Sequence, residues 1–435
     1  MHVYVMAPDA QHWSALEAVA EVCGDLQVHA LLEKDEVVHV ESLDARALLA
    51  KAEAELATAA RVDAIVAQWD FPTTLLVPLL CRARGLPSPS VEAVIRCSHK
   101  YWSRLAQRES IPELTPEFEL VDPFAEGAAE AVQLKFPFWL KPVKGFSSML
   151  GFRIDGRPDL VEALAAIRED VARIGDPFDE LLEEAAVDPK LRSVSGSECI
   201  AEGYLSGIEV AHEGYVQNGE VHFHGSLEMV RERELFTRLL WPALVPDSVL
   251  ERMADASTRF LKHIGYDDGC FNAEYFWNRE TDELKIIEVN PRISQSHVPL
   301  AMLRDGMSNH QVAIDVSLGR RPTFEPGGGE VRLAGKFYER VPLEKGRVTR
   351  VPSPSELDAL RADFPTATIV MGVEEGDELS ELVDQAPHSS TLFELYLGAA
   401  DERELLAEHA RLLSAFPLEV DGADVIGRLI GNARR

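Results

Sequence analysis

Short apolar runs alternate with helical periods along the first part of the chain: His2 to Met6, a helix near Trp13 to Val22, Val28 to Leu32, an alanine-rich helix from Asp44 to Ala60, and Ala64 to Ala67. This alternation predicts a small parallel sheet flanked by helices over residues 1–95. The turn Gly85-Leu-Pro-Ser-Pro-Ser90 ends that unit, and a helix begins near Val91. From Phe136 to Ile154 two strands flank a loop. Between Asp155 and Ser197 the pattern is helical, with a polar, acidic part from Arg173 to Ser197 that reads as an exposed excursion. A strand from Ser197 then passes a short glycine-containing hinge into a strand pair turned at Asn218-Gly219, a type I′ hairpin signal. The mixed-charge run Leu227 to Leu240 reads either as a solvated helix face or as a mobile segment whose Arg231 or Arg233 could clamp a carboxylate.

A helix from Ser248 to Ile264 leads to the stretch on which the chemistry centres. Phe271 to Trp277 and Leu284 to Asn290 are strands rich in β-branched and aromatic residues, joined by the polar turn Asn278 to Glu283. Beyond them come a helix from Asn309 to Leu318, the glycines Gly327 to Gly329 as a flexible joint, strands Val331 to Tyr338 and Thr368 to Val373, and an amphipathic helix from Glu402 to Phe416. The fold class is α/β overall. A small parallel-sheet domain at 1–95 precedes a central α+β domain at 96–319 and a C-terminal α+β accessory domain at 320–435, in which no titratable cluster is visible.

If the hairpin turns symmetrically about Thr281, Glu274 lies opposite Glu288 and Asn272 opposite Asn290, with opposed side chains about 5 Å apart. Ala273, Tyr275, Ile287 and Val289 then form the other, apolar face. Like charges placed opposite each other destabilise a sheet unless something compensates them, and a divalent cation would. Mg²⁺ is held by one or two carboxylates and completed by phosphates and water, so Glu274, Glu288 and the amide oxygen of Asn290 form a candidate nucleotide-metal site, with Mn²⁺ as a substitute ion. Arg292 could reach the same phosphates. Taken alone, the spacing also fits an ordinary solvated hairpin with its acidic residues in water.

Forty-six per cent hydrophobic and 27% charged residues are ordinary for a soluble globular protein. A net charge of −30 argues against a nucleic-acid surface or a polybasic membrane contact, and it makes each cation beside the carboxylate pair more significant for an anionic ligand. The five cysteines show no metal-ligand spacing, and neither a signal-peptide pattern nor an 18-residue apolar run is present, so a cytoplasmic protein with reduced thiols is expected.

Three further segments carry candidate chemistry. Lys100 opens a helix that leads to an Ile-Pro turn. In Phe136-Pro-Phe-Trp-Leu-Lys141-Pro-Val-Lys-Gly-Phe-Ser147-Ser148-Met-Leu-Gly151, small residues would let backbone N–H groups close over phosphate oxygens, beside the point charge of Lys141; the spacing is not that of a Walker A loop. The third is the hinge Glu202-Gly-Tyr204-Leu205-Ser-Gly-Ile-Glu209. Together with Glu-Val-Asn-Pro-Arg at 288–292 and the preceding Glu274, these segments resemble, in order, the ATP-grasp ligases, the superfamily of D-alanine ligase and biotin carboxylase. The resemblance covers about residues 1–320 well and the remainder loosely.

That resemblance implies ATP and Mg²⁺ as cofactors, a leading domain at 1–95 that helps to bind substrate through Gln68-Trp69-Asp70-Phe71, and a lid at about 135–205. Lys100 and Lys141 would meet the phosphates under the loop bearing Ser147 and Ser148. Glu202, Tyr204 and Leu205 would read the adenine edge, Glu209 would hold the ribose, and Glu274, Glu288 and Asn290 would bind the metal. Arg292 and Lys141 would act in catalysis. The implied activity is ATP-driven joining of a small carboxylic acid to an amine, with an amino acid among the expected substrates and a homodimer as the assembly to consider. Two alternatives stand beside it. A biotin carboxylase would need a glutamate as base where this chain has Ser296, and no biotinylation segment is visible. A non-catalytic nucleotide-binding module would be favoured by loss of a metal carboxylate, and both are present.

Overall fold

Three parallel strands, β1 (His2–Met6), β2 (Gln27–Leu31) and β3 (Ala64–Val66), form the N-terminal sheet in the order β2-β1-β3, as the alternation predicts. This computed structural model describes residues 1–38, 42–145, 150–232, 235–323, 326–382 and 389–429. Val3 and Val5 point into the core, and Asp9 and Asp44 cap the helices Ala10–Cys23 and Ala45–Thr58 by accepting from backbone N–H groups of the first turn. The chain leaves β3 at the C-terminal rim of the sheet, where Gln68 to Phe71 face the rest of the molecule.

A second, four-stranded antiparallel sheet follows from β4 (Phe118–Val121), β5 (Phe138–Pro142), β6 (Phe152–Ile154) and β7 (Cys199–Gly203), in the order β4-β7-β5-β6. The segment expected to be an exposed excursion is not one. Ala172–Glu184 is a helix whose Ile174, Phe178, Leu181 and Leu182 are buried against the N-terminal unit, with Phe178 edge-on to Phe71. The charges dominate its composition, but the 3.6-residue period of its apolar positions decides its burial.

The largest sheet has eight strands. β8 (Ile208–Gln217), β9 (Glu220–Glu232), β10 (Leu235–Trp241), β11 (Gly269–Trp277), β12 (Leu284–Asn290) and β13 (Leu333–Val341) enter it, followed past the short β14 (Val348–Arg350) by β15 (Thr368–Met371) and β16 (Ser390–Ala399). The order is β12-β11-β8-β9-β10-β13-β16-β15, so strands on both sides of residue 320 share one ladder. Asn218 and Gly219 both have positive φ, as the type I′ turn requires. The mixed-charge run is strand, not helix: β9 and β10 form an antiparallel hairpin, and Arg233 lies outside the described residues.

Two expectations for the C-terminal part are also corrected. The glycines at 327–329 are held fast: Gly327 N–H donates to Asp305, Gly329 N–H donates to the Arg304 carbonyl, and a Cβ on Gly329 would lie 2.4 Å from the Leu303 carbonyl oxygen. Folding also gathers titratable groups that are scattered in sequence. Buried Lys336 pairs with Glu394 at 2.8 Å between the rings of Tyr338 and Tyr396, and buried Glu339 pairs with His409. No helix among the described residues is long and apolar enough to cross a membrane.

Candidate active site

In the β11–β12 hairpin Glu274 stands opposite Glu288 and Asn272 opposite Asn290. The register then slips by one residue, so that Tyr275 faces Ile286 and Ile287 is left out of the ladder. The apolar face is therefore Ala273, Tyr275, Ile286 and Val289, all buried, and the expected place of Ile287 on it is corrected to Ile286. Arg104 explains why the bulge is tolerated on this edge strand. Its guanidinium donates to the carbonyls of Ile286 at 3.1 Å and Ile287 at 2.8 Å, so the backbone groups released by the slip are satisfied.

The carboxylate face sets like charges side by side. Glu274 is held well above the usual carboxylate range, first by burial and then by the charges of Glu288 and Glu209. The side-chain amide of Asn290 faces both carboxylates, its nitrogen 3.2 Å from Glu274 and 3.5 Å from Glu288, while among the described residues the buried Asn272 amide has no partner at either atom. Two opposed carboxylates, an adjacent amide and an orphaned buried amide are a donor set suited to a hard cation. Among the described residues no three His, Cys, Asp or Glu side chains are gathered as a metal-binding group. A cation here would take Glu274, Glu288 and the Asn290 oxygen, and would complete its shell with phosphate or water.

Cations surround this face. Lys100, first residue of the helix Lys100–Ser110 and following its N-cap His99, lies 3.9 Å from Glu288 and donates to the Gly145 carbonyl at 2.7 Å. Lys141 on β5 pairs with Glu202 at 2.8 Å, and Arg104 approaches the other oxygen of Glu202 at the same distance. Burial pushes the Glu202 carboxyl up, but Arg104 and then Lys141 prevail and hold it at about 2. Arg292 makes a two-pronged pair with Asp70 on the rim of the N-terminal sheet, at 3.1 and 2.9 Å. Ser147 and Ser148 lie outside the described residues.

Tyr204 and Leu205 occupy the irregular hinge between β7 and β8, with the Arg153 guanidinium 4.5 Å from the Tyr204 ring centre. Glu209, buried on β8, holds Arg231 at 2.6 Å; burial raises its carboxyl even against that arginine, and Glu288 adds to the effect. Lys100, Lys141, Glu202, Glu274, Glu288, Asn290 and Arg292 are thus brought to one cleft, with Glu209 at its flank. Sequence reasoning passed over Arg104, Lys144 and Glu213, and named Asp70 as a substrate contact without its pairing to Arg292. Arg104 sits one turn after Lys100, a spacing that puts both on one helix face and could have flagged it. Glu213 gave no signal. It is fully buried and accepts from Ser294 N–H at 2.8 Å, His297 at 2.9 Å and Asn309 at 2.9 Å, fixing the loop that follows Arg292.

Residues 134–299 match the family model of the ATP-grasp domain. The fold is similar to that of an L-amino acid ligase from Bacillus licheniformis, with a TM-score of 0.75 at 17% identity over 97% of this chain and 99% of that one. It is also similar to a biotin carboxylase from Campylobacter jejuni, with a TM-score of 0.63 at 16% identity over 96% of this chain and 92% of that one. In sequence, an uncharacterized protein, y4rH, of Sinorhizobium fredii is 29% identical over 245 residues, 55% of this chain. The matched part spans 44% of that relative's length.

Proposed function

We propose that the protein is an ATP-dependent carboxylate-amine ligase, a reading supported by the match of residues 134–299 to the ATP-grasp domain model and by the similarity of the fold to an L-amino acid ligase. It would form an amide or peptide bond through an acyl phosphate, with ATP converted to ADP and phosphate. The observation that carries the reading is the pair of opposed carboxylates Glu274 and Glu288, with Asn290 between them and Lys100, Lys141 and Arg292 around them. When bound at that pair, Mg²⁺ supplies charge neutralisation for phosphoryl transfer.

In this reading each residue of the cleft takes a role. A substrate carboxylate oxygen attacks the γ-phosphorus as the bond to the β,γ-bridging oxygen breaks, giving ADP and the acyl phosphate. Lys100 and Lys141 offset the phosphate charge during that transfer, and Arg292, kept in place by Asp70, orients the acid. An amine then attacks the acyl carbon and phosphate leaves. In this proposal the backbone of Glu202, Tyr204 and Leu205 meets the adenine, Ser147 and Ser148 cover the phosphates, and Glu209 holds the ribose in exchange for Arg231. The division into 1–95, 96–319 with its lid, and 320–435 belongs to the same reading. Ser296, whose hydroxyl lies 3.2 Å from that of Ser294, offers no base for bicarbonate, which favours a carboxylic acid over the biotin carboxylase alternative.

The test is separation of nucleotides after incubation with Mg-ATP and panels of amino acids, dipeptides and hydroxy acids. ADP and phosphate should form only with a suitable acid, and an amide only when an amine is added. AMP and pyrophosphate as the products would overturn the acyl-phosphate mechanism.

A further inference from the structure

Lys144 follows β5 by two residues, and its side chain is buried with no ion-pair partner among the described residues, although Asp70 and Glu288 act on its charge. Among the described residues it makes no hydrogen bond and has no carboxylate within ion-pair distance. Its Nζ instead lies 5.1 Å from the ring centre of Phe71 and 5.2 Å from that of Phe178. A buried charge normally demands a partner, because removing it from water without one costs several kcal/mol. Aromatic faces return only part of that. The ammonium is lowered to about 7, by burial and then by Lys100.

The surroundings say what is missing. His99 and Lys100 face Lys144 from their helix, Asp70 and Phe71 from the rim beyond β3, Phe178 from the helix Ala172–Glu184, and Glu288 from β12. Asp70 is already committed to two nitrogens of Arg292, and the third, Nη1, is buried with no partner among the described residues. Asp70 therefore stands among three cations, Arg292, Lys144 and Lys100, two of which have unused donors.

We propose that Lys144 and the free Nη1 of Arg292 form a carboxylate-binding site, closed by Phe71 and Phe178, that receives the acid to be activated. This deepens the ligase reading and rests on it for the identity of the acid, but not for the existence of an anion site. Lys141 and Lys100 turn toward Glu202 and Glu288, where the nucleotide and metal are placed by that reading, whereas the walls around Lys144 come from the N-terminal unit and the helix Ala172–Glu184. That geometry assigns Lys144 to the acid and not to a nucleotide phosphate.

Acetate, the smallest carboxylate probe, tests the site on the full chain by thermal unfolding at constant ionic strength against chloride. Acetate should raise the wild-type midpoint saturably, by about 2 °C. Lys144→Met should melt no lower than wild type in chloride, since it removes an unpaired buried charge, and should lose the acetate response; Lys144→Arg should keep it. The wild-type response should weaken between pH 6 and pH 9 while that of Lys144→Arg stays flat. Lack of any acetate response in wild type, an unchanged response in Lys144→Met, or a lower chloride midpoint for Lys144→Met would each overturn the assignment. So would cancellation of the acetate response by ADP alone. With an acid that supports ADP release, Lys144→Met should raise KM for the acid at least about tenfold and leave KM for ATP within about twofold. If no acid supports ADP release but the acetate response behaves as described, the ligase reading fails and the anion site stands.

Discussion

Glu213 and Glu274 stand on paired strands of one sheet, Glu213 opposite Asn272 and Glu274 two residues further along, yet their surroundings are opposite. Glu213 accepts hydrogen bonds from Ser294, His297 and Asn309, and although burial pushes its carboxyl up, His297 and its other partners hold it at about 2. Glu274 meets Glu288 and Glu209 and is pushed well above the ordinary range. The first carboxylate completes a folded loop. The second leaves its sheet poorer in free energy than a neutral residue would, and such a position persists where something absent from the chain compensates it.

Replacing the two classes of carboxylate should separate stability from turnover. The largest effect is expected for Glu213→Ala, which takes the shared acceptor from Ser294 N–H, His297 and Asn309 and should lower the unfolding free energy by about 3–5 kcal/mol in denaturant titrations. A loss below about 1 kcal/mol would erase the contrast. Glu288→Gln should leave unfolding nearly unchanged while lowering metal-dependent kcat at least about 100-fold, equivalent to about 2.7 kcal/mol. Wild-type turnover in that variant would remove the hairpin from the chemistry.

A smaller effect separates the two by pH. Because the folded-state pKa of Glu274 is raised, its contribution to stability is complete below the unfolded value of about 4.3 and is lost as pH rises through the folded value. For Glu213 the folded value is depressed, so its contribution is present above about 4.3 and is lost as pH falls toward 2. Glu274→Gln should therefore flatten the loss of stability toward neutral pH and raise the stability of nucleotide-free protein at pH 7 by about 1–2 kcal/mol. An unaltered pH profile would show that Glu274 is compensated from within. The smallest effect is expected for Glu209→Gln, with a rise in KM for ATP of about three- to tenfold, equivalent to about 1 kcal/mol, and no change in KM for the acid.

Much of the site was legible because it is local. Counting outward from Thr281 set Glu274 against Glu288, since a hairpin's register follows from its turn. The bulge at Ile287 was not legible, because it depends on Arg104 reaching the released carbonyls from a helix 182 and 183 residues away in sequence. The pair of Arg292 with Asp70 spans 222 residues and leaves no trace in any local period. The misreadings at Leu227–Leu240 and Arg173–Ser197 share one cause. In both, charge density was weighed above the apolar residues: Leu227, Met229, Val230, Leu235, Phe236, Leu239 and Leu240 sit in two strands, and the apolar spacing of Ile174, Phe178 and Leu181 is a helix's.

Strand β10 pairs with β9 on one side and with β13 on the other, and β13 ends roughly 100 residues after β10 does. At about 5–20 residues per second of synthesis, the far edge of β10 waits about 5–20 s for its partner. Throughout that interval a growing chain carries an unpaired strand edge able to pair with the same edge of a neighbouring nascent chain. Production of the full protein should therefore be sensitive to ribosome spacing and to pauses between Trp241 and Val341, and a chain halted near residue 320 should associate with its own kind.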